Sequence, residues 1–134
     1  MNSEILKTYL WIALGSALGG VGRFWLSGLV AQRVGETFPW GTLLVNVSGS
    51  FVIGLVAALA DPDGRFLVAS NVRTFLMVGI CGGYTTFSSF SLQTLKLAQD
   101  GELFYAGANA VLSVMLCLLG VWMGHFIGQI LNRS

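Results

Sequence analysis

The sequence predicts an all-α membrane protein of four transmembrane helices, the third of them broken. Two observations carry the membrane class and one carries the break. Charged residues make up 10% of the 134 residues against 54% apolar and aromatic, and mean hydropathy is +0.76. A water-facing domain carries about 25% charge, so lipid is the solvent this composition suits. The charges are also segregated, with no Asp, Glu, Lys or Arg in 8–22, 37–60, 74–95 or 103–132. A membrane helix needs about 20 mostly apolar residues. Spans are therefore expected at 8–30, 40–60, 74–98 and 103–131, forming one domain over 1–134. The break is read from the polar, glycine-containing middle of the third span.

The first span reaches full length only by running through Gly19, Gly20, Gly22 and Arg23. That continuation distinguishes it from a cleaved signal peptide, whose apolar core ends at a small-residue site. Gly35 and Pro39 then break the chain. The second span carries Thr42, Asn46 and Ser50 every four residues, a single polar stripe on an apolar helix. Asp61-Pro62-Asp63-Gly64 is a turn, because Pro presets one dihedral and Gly supplies another. In the third span, Gly79 to Ser91 places Gly82 beside Gly83 and adds five Ser and Thr hydroxyls. Paired glycines weaken a helix, and hydroxyls compete for its backbone bonds. A break is expected at Gly82 to Thr85, and a kinked packing helix is the plainer alternative. Backbone freed at that depth must line a cavity or meet an ion. Carbonyls there suit a cation such as sodium, and amides at a half-helix start suit an anion. Gln99 to Glu102 makes a short hairpin into the fourth span, where Asn109 and Ser113 lie four apart with Cys117 next.

Glycines recur at spacing four as Gly15/Gly19, Gly79/Gly83 and Gly120/Gly124/Gly128. Helices without side chains at such positions approach closely in lipid. Orientation is almost unbiased. Lys7, Arg65, Arg73 and Arg133 fall on one side, facing Arg33 and Lys96, with Arg23 added if it reaches that way. Lys and Arg excess normally sets topology. So small a bias predicts both insertions and an antiparallel dual-topology homodimer, although a few well-placed charges can still fix one orientation.

Several functions are excluded. A formal net charge of +1 with no basic run leaves nothing to neutralise phosphates, so no nucleic-acid partner is expected. There is no P-loop, no GxSxG and no acid/base pair, so the chain does not read as an enzyme. Cys81 and Cys117 form no CxxC pattern. No carboxylate lies inside a span, which argues against proton-coupled export.

What remains at depth is uncharged polarity. Phe87 and Phe90 share a face just after the expected break, and ring edges carry partial positive charge. Asn46 offers two N–H donors, and Thr42, Asn109 and Ser113 add further polar groups. Each also has a structural reading: core packing for the rings, interhelical hydrogen bonds of about 0.6–2 kcal/mol for the amides and hydroxyls, and an interfacial position for Arg23.

These residues resemble the Fluc fluoride channels, or CrcB family. The resemblance is carried by Gly19 to Trp25, by Trp40 to Asn46 with Gly49-Ser50-Phe51, by the Gly-Gly-x-Thr-Thr-Phe-Ser core inside Gly79 to Ser91, and by Asn109 and Ser113. It implies a passive, fluoride-selective channel in a bacterial inner membrane, built as an antiparallel dimer with two pores. By the same resemblance Phe87, Phe90 and Asn46 line the pore, and Asn109 and Ser113 belong to a polar track. Arg23 matches the family's first-span arginine. A structural sodium ion (Na+) at the dimer interface would be held by the carbonyls of Gly82 and Thr85. The expected partners are fluoride, lipid and a second copy. A small four-helix multidrug or cation exporter, or a non-transporting membrane scaffold, would share the size and the glycine motifs.

Overall fold

The computed structural model describes residues 2–133, and among these it is entirely helical apart from turns and loops. Helix α1 runs Ser3–Val34, beginning where Asn2 Oδ1 accepts the Glu4 N–H and ending at Gly35, whose φ of 80° turns the chain. The expected start at residue 8 was too late because this cap and the Lys7–Glu4 ion pair (2.8 Å) extend the helix past its apolar part. Helix α2 covers Trp40–Leu59 and the last helix, α6, covers Leu103–Arg133. Between them the third span occupies Ser70–Gln99 in pieces: α3 (Ser70–Thr74), a π-helical stretch (Phe75–Cys81), α4 (Gly82–Tyr84) and α5 (Phe87–Gln99). All four spans are long and apolar enough to cross a membrane.

The break lies at Thr85 and Thr86, at the far end of the expected Gly82 to Thr85 and one residue past it, rather than at the glycines. Thr85 has ψ 154° and Thr86 has φ −150°, ψ 108°, both extended, whereas Gly82 is helical at φ −65°, ψ −37°. The glycines serve another purpose, which is close crossing. A Cβ on Gly83 would sit 2.6 Å from the Ser16 carbonyl oxygen, and one on Gly79 would sit 2.9 Å from Gly15 Cα. Helix α1 thus lies backbone to backbone along the π stretch and α4.

The second close crossing joins α2 to α6. A Cβ on Gly120 would meet the Val47 carbonyl at 3.1 Å, and one on Gly128 the Leu55 carbonyl at 2.9 Å. Between them, a Cβ on Gly124 would overlap the Phe51 carbonyl oxygen. All three expected glycine sets sit at helix crossings, where the absence of a side chain lets dispersion and weak backbone contacts accumulate. At the end of this pair, Asn132 gathers the chain. Its Oδ1 accepts the N–H groups of Arg65 (2.7 Å) and Phe66 (3.3 Å), and its Nδ2 donates to the Ala58 carbonyl (2.9 Å). The outside of the bundle is apolar: Leu67 is 90% exposed and Phe104 82%, a surface suited to lipid rather than water.

Candidate functional site

The site is the interruption in the third span and the two clefts that flank it. Thr86 is held there by a side chain from α2. Its N–H donates to Asn46 Oδ1 at 2.7 Å, and its carbonyl accepts from Asn46 Nδ2 at 3.0 Å. One carboxamide thereby replaces two backbone partners that a continuous helix would have supplied, in a setting where unpaired backbone is costly. In such a helix the Thr86 N–H would reach the Gly82 carbonyl; here it goes to Asn46, which frees the C-terminal end of α4.

Neighbouring bonds define the two lips of the break. On the α4 side, Thr85 donates to the Cys81 carbonyl from both N–H (3.0 Å) and Oγ1 (2.8 Å). Arg23 Nε donates to the Gly83 carbonyl at 3.3 Å, so its positive charge lies at the negative end of a helix dipole. Tyr84 is anchored by a 2.8 Å hydrogen bond between its hydroxyl and Ser48 Oγ. On the α5 side, Thr86 caps the new helix, its Oγ1 accepting the Ser89 N–H at 3.2 Å. A carbonyl-rich terminus and an amide-rich terminus therefore meet at one place. Such paired half-helix ends provide for a cation and an anion without a formal charge.

The first cleft, about 370 Å³, is lined by Asn46, Ser50, Thr85, Phe87, Phe90 and Ser113, with Gly82, Cys81 and Cys117 also at its wall. The Phe87 and Phe90 rings lie 5.2 Å apart between centroids and are tilted by 53°. Phe90 is buried at 9% exposure, whereas Phe87 is 75% exposed. The second cleft, about 830 Å³, opens past Arg23, Thr42, Ser89, Gln93 and Lys96. Thr86 borders both clefts. The stripe on α2 accordingly divides: Thr42 faces the second cleft, Ser50 the first, and Asn46 the junction.

Not every expected residue reaches a cleft. Asn109 is 1% exposed and lines neither. Its Nδ2 donates to Thr94 Oγ1 at 2.9 Å, and its Oδ1 accepts from Ser113 Oγ at 3.3 Å. Sequence reasoning passed over Thr94 and Gln93, although both continue the three-to-four spacing set by Phe87 and Phe90. Gln93 lines the second cleft with a buried Oε1 that has no protein partner. Among the described residues no group of three His, Cys, Asp or Glu side chains gathers.

Four spans around a broken polar helix, with hydroxyls, amides and a ring pair gathered at the break, define a small multi-pass membrane protein. The chain belongs to the CrcB family: the model described as "CrcB-like protein, Camphor Resistance (CrcB)" matches residues 10–125. Among its relatives, a protein of Rhodospirillum rubrum named "Fluoride-specific ion channel FluC" is 60% identical over 127 residues, covering 95% of this chain and 98% of that one. Proteins with the same name from Opitutus terrae and Paramagnetospirillum magneticum are each 61% identical. These alignments cover 95% and 96% of this chain, and 96% and 100% of the relatives.

Proposed function

We propose that this chain is a fluoride-selective channel that exports fluoride passively across a bacterial inner membrane. One observation supports this reading most directly. Uncharged donors from α2, α6 and the break converge with the Phe87–Phe90 pair on a single cleft at an interrupted helix. Fluoride is small and strongly hydrated, so entry requires several donors in succession, each too weak to trap it. Ser50 presents a hydroxyl whose proton is uncommitted among the described residues, while Thr85 and Ser113, which donate to the Cys81 carbonyl and to Asn109 Oδ1, would have to turn their single protons toward the anion. Asn46 retains one amide hydrogen beyond the one used on Thr86. Ring edges supply partial positive charge where a cation would bind too tightly. Arg23 raises the potential near the second cleft, on the approach past Thr42.

The working unit is proposed to be an antiparallel dimer with two pores. Phe87 supports this: a ring that is 75% exposed in one copy needs a second copy to enclose a path beside it. A structural Na+ at the dimer interface fits the same break. Sodium is a hard cation and prefers oxygen. The carbonyls of Gly82 and Thr85 lie at the lip where the helical ladder stops, and a second copy would double that set. The ion would neutralise the carbonyl end of the break and join the two copies. Asn109 enters this reading through its bond to Ser113 rather than as a cleft-lining donor.

The test is fluoride release from sealed vesicles containing the purified protein, followed with a fluoride electrode. Rapid fluoride loss with chloride retained is expected, and Phe90→Ile should slow it by about tenfold or more, the scale of a lost pore contact worth 1–2 kcal/mol. Fluoride retained by the wild-type vesicles would overturn the proposal. Drug resistance without any fluoride effect would instead favour an exporter.

A further inference from the structure

Thr94 lies outside both clefts, yet it is bonded to the backbone carbonyl of Phe90 on one side and to Asn109 of α6 on the other. Three hydrogen bonds run in one direction, the last two of them through Thr94. Ser113 Oγ donates to Asn109 Oδ1 (3.3 Å), Asn109 Nδ2 donates to Thr94 Oγ1 (2.9 Å), and Thr94 Oγ1 donates to the Phe90 carbonyl (2.8 Å). Donor and acceptor roles are consistent along the whole chain. Asn109 Nδ2 occupies a lone pair of the hydroxyl, which leaves the hydroxyl proton for Phe90. Hydrogen bonds aligned in this way polarise one another, the more so away from water, and Asn109 is 1% exposed.

The location matters because α5 is short and carries both rings near its start. At Thr86 it is held to α2 by the Asn46 carboxamide. One turn beyond Phe90 it is held to α6 by Thr94. A hydroxyl bonded to the carbonyl four residues earlier also bends its helix. We infer that Thr94, acting with Asn109, is a positioning residue that fixes the rotation of α5 and so aims Phe90, and Phe87 with it, at the first cleft. The inference rests on the channel reading of that cleft only for its effect on flux; the geometry it asserts stands apart from transport.

The experiment places 4-fluorophenylalanine at Phe90 of the full-length protein and reads its fluorine resonance, alongside vesicle efflux of the unlabelled variants. Thr94→Val keeps the shape of the side chain and removes the hydroxyl. It is expected to shift or broaden the Phe90 resonance and to slow fluoride efflux about tenfold, on the order of one buried hydrogen bond lost. Thr94→Ser keeps the hydroxyl and should restore both readouts. Asn109→Leu cuts the same chain from the α6 side and should give the same two changes, so a failure of Thr94→Val to assemble leaves a second route to the answer. The same probe at Phe126, near the far end of α6, should not move. An unmoved Phe90 resonance in both variants, unchanged efflux, or an equal shift at Phe126 (the mark of general loosening) would overturn the inference. Absence of efflux from the wild-type protein would instead sink the channel reading, while the Phe90 resonance would still decide the role of Thr94.

Discussion

Asn46 has two tasks at one atom group. Both ends of its carboxamide are engaged by Thr86, and one amide hydrogen remains, which the proposed channel would offer to a passing anion. Asn46→Asp separates these tasks poorly and is therefore a severe change. The Thr86 N–H can still donate to a carboxylate, but the Thr86 carbonyl loses its donor, and a negative charge enters the path. A buried polar group left unpaired costs about 1–3 kcal/mol. Vesicles carrying Asn46→Asp are expected to release fluoride at least tenfold more slowly than wild type, as read by the electrode. The spacing of Thr42, Asn46 and Ser50 was enough to place a polar stripe. It could not show that Asn46 bonds a backbone forty positions away, because such a partner exists only once the helices cross. The same reason hid Thr94. A lone threonine on an amphipathic helix carries no sign of the buried asparagine that it will meet.

At the scale of helices, the sequence was most legible where charge was absent. Gaps between charges gave four spans, and their order and number hold. Helix ends were less legible, since Asn2 and Ser70 lie outside the apolar windows that marked the spans. The break was displaced for a physical reason. Glycine weakens a helix in isolation, but at a crossing it is what allows the partner to approach, and Gly79 and Gly83 are held helical by α1. The α2–α6 crossing gives a sharp prediction. Gly124→Leu places a side chain where the Phe51 backbone lies, and the two helices must separate. Overpacking of this kind costs about 1–3 kcal/mol or more, and thermal unfolding in detergent should begin at a clearly lower temperature. By contrast, a Cβ on Gly107 meets nothing within 4 Å. Gly107→Ala is expected to leave unfolding unchanged or to raise it slightly, since alanine is favoured over glycine in helices by about 0.5–1 kcal/mol.

For the molecule as a whole, the absence of carboxylates along the spans has a thermodynamic counterpart. In the proposed channel no titratable carrier couples the path to protons, so net flux should follow the electrochemical gradient of the anion alone. A membrane potential contributes about 2.3 kcal/mol per charge per 100 mV. Potassium-loaded vesicles given valinomycin should therefore speed or slow fluoride release according to the sign of the potential. A proton gradient imposed near neutral pH, with the potential clamped, should change nothing. Proton-dependent release would contradict passive conduction. The near balance of Lys and Arg between the two sides was visible in the sequence. Which face of each copy would meet the other in the proposed dimer was not, because a surface made for lipid and a surface made for a second copy are written in the same apolar residues.

The widened turns at Phe75–Cys81 carry one further consequence. A π-type turn accommodates an extra residue that an α-helix of equal rise would exclude. Excising a single residue there would return the coil to ordinary pitch and leave everything downstream near its present rotation, whereas the same deletion in an α-helical stretch would swing it through roughly 100° about the axis. Gene-level single-residue deletions in this stretch would thus spare the heading of the aromatic pair, while one placed in the middle of α2 would turn its downstream polar groups away from the break.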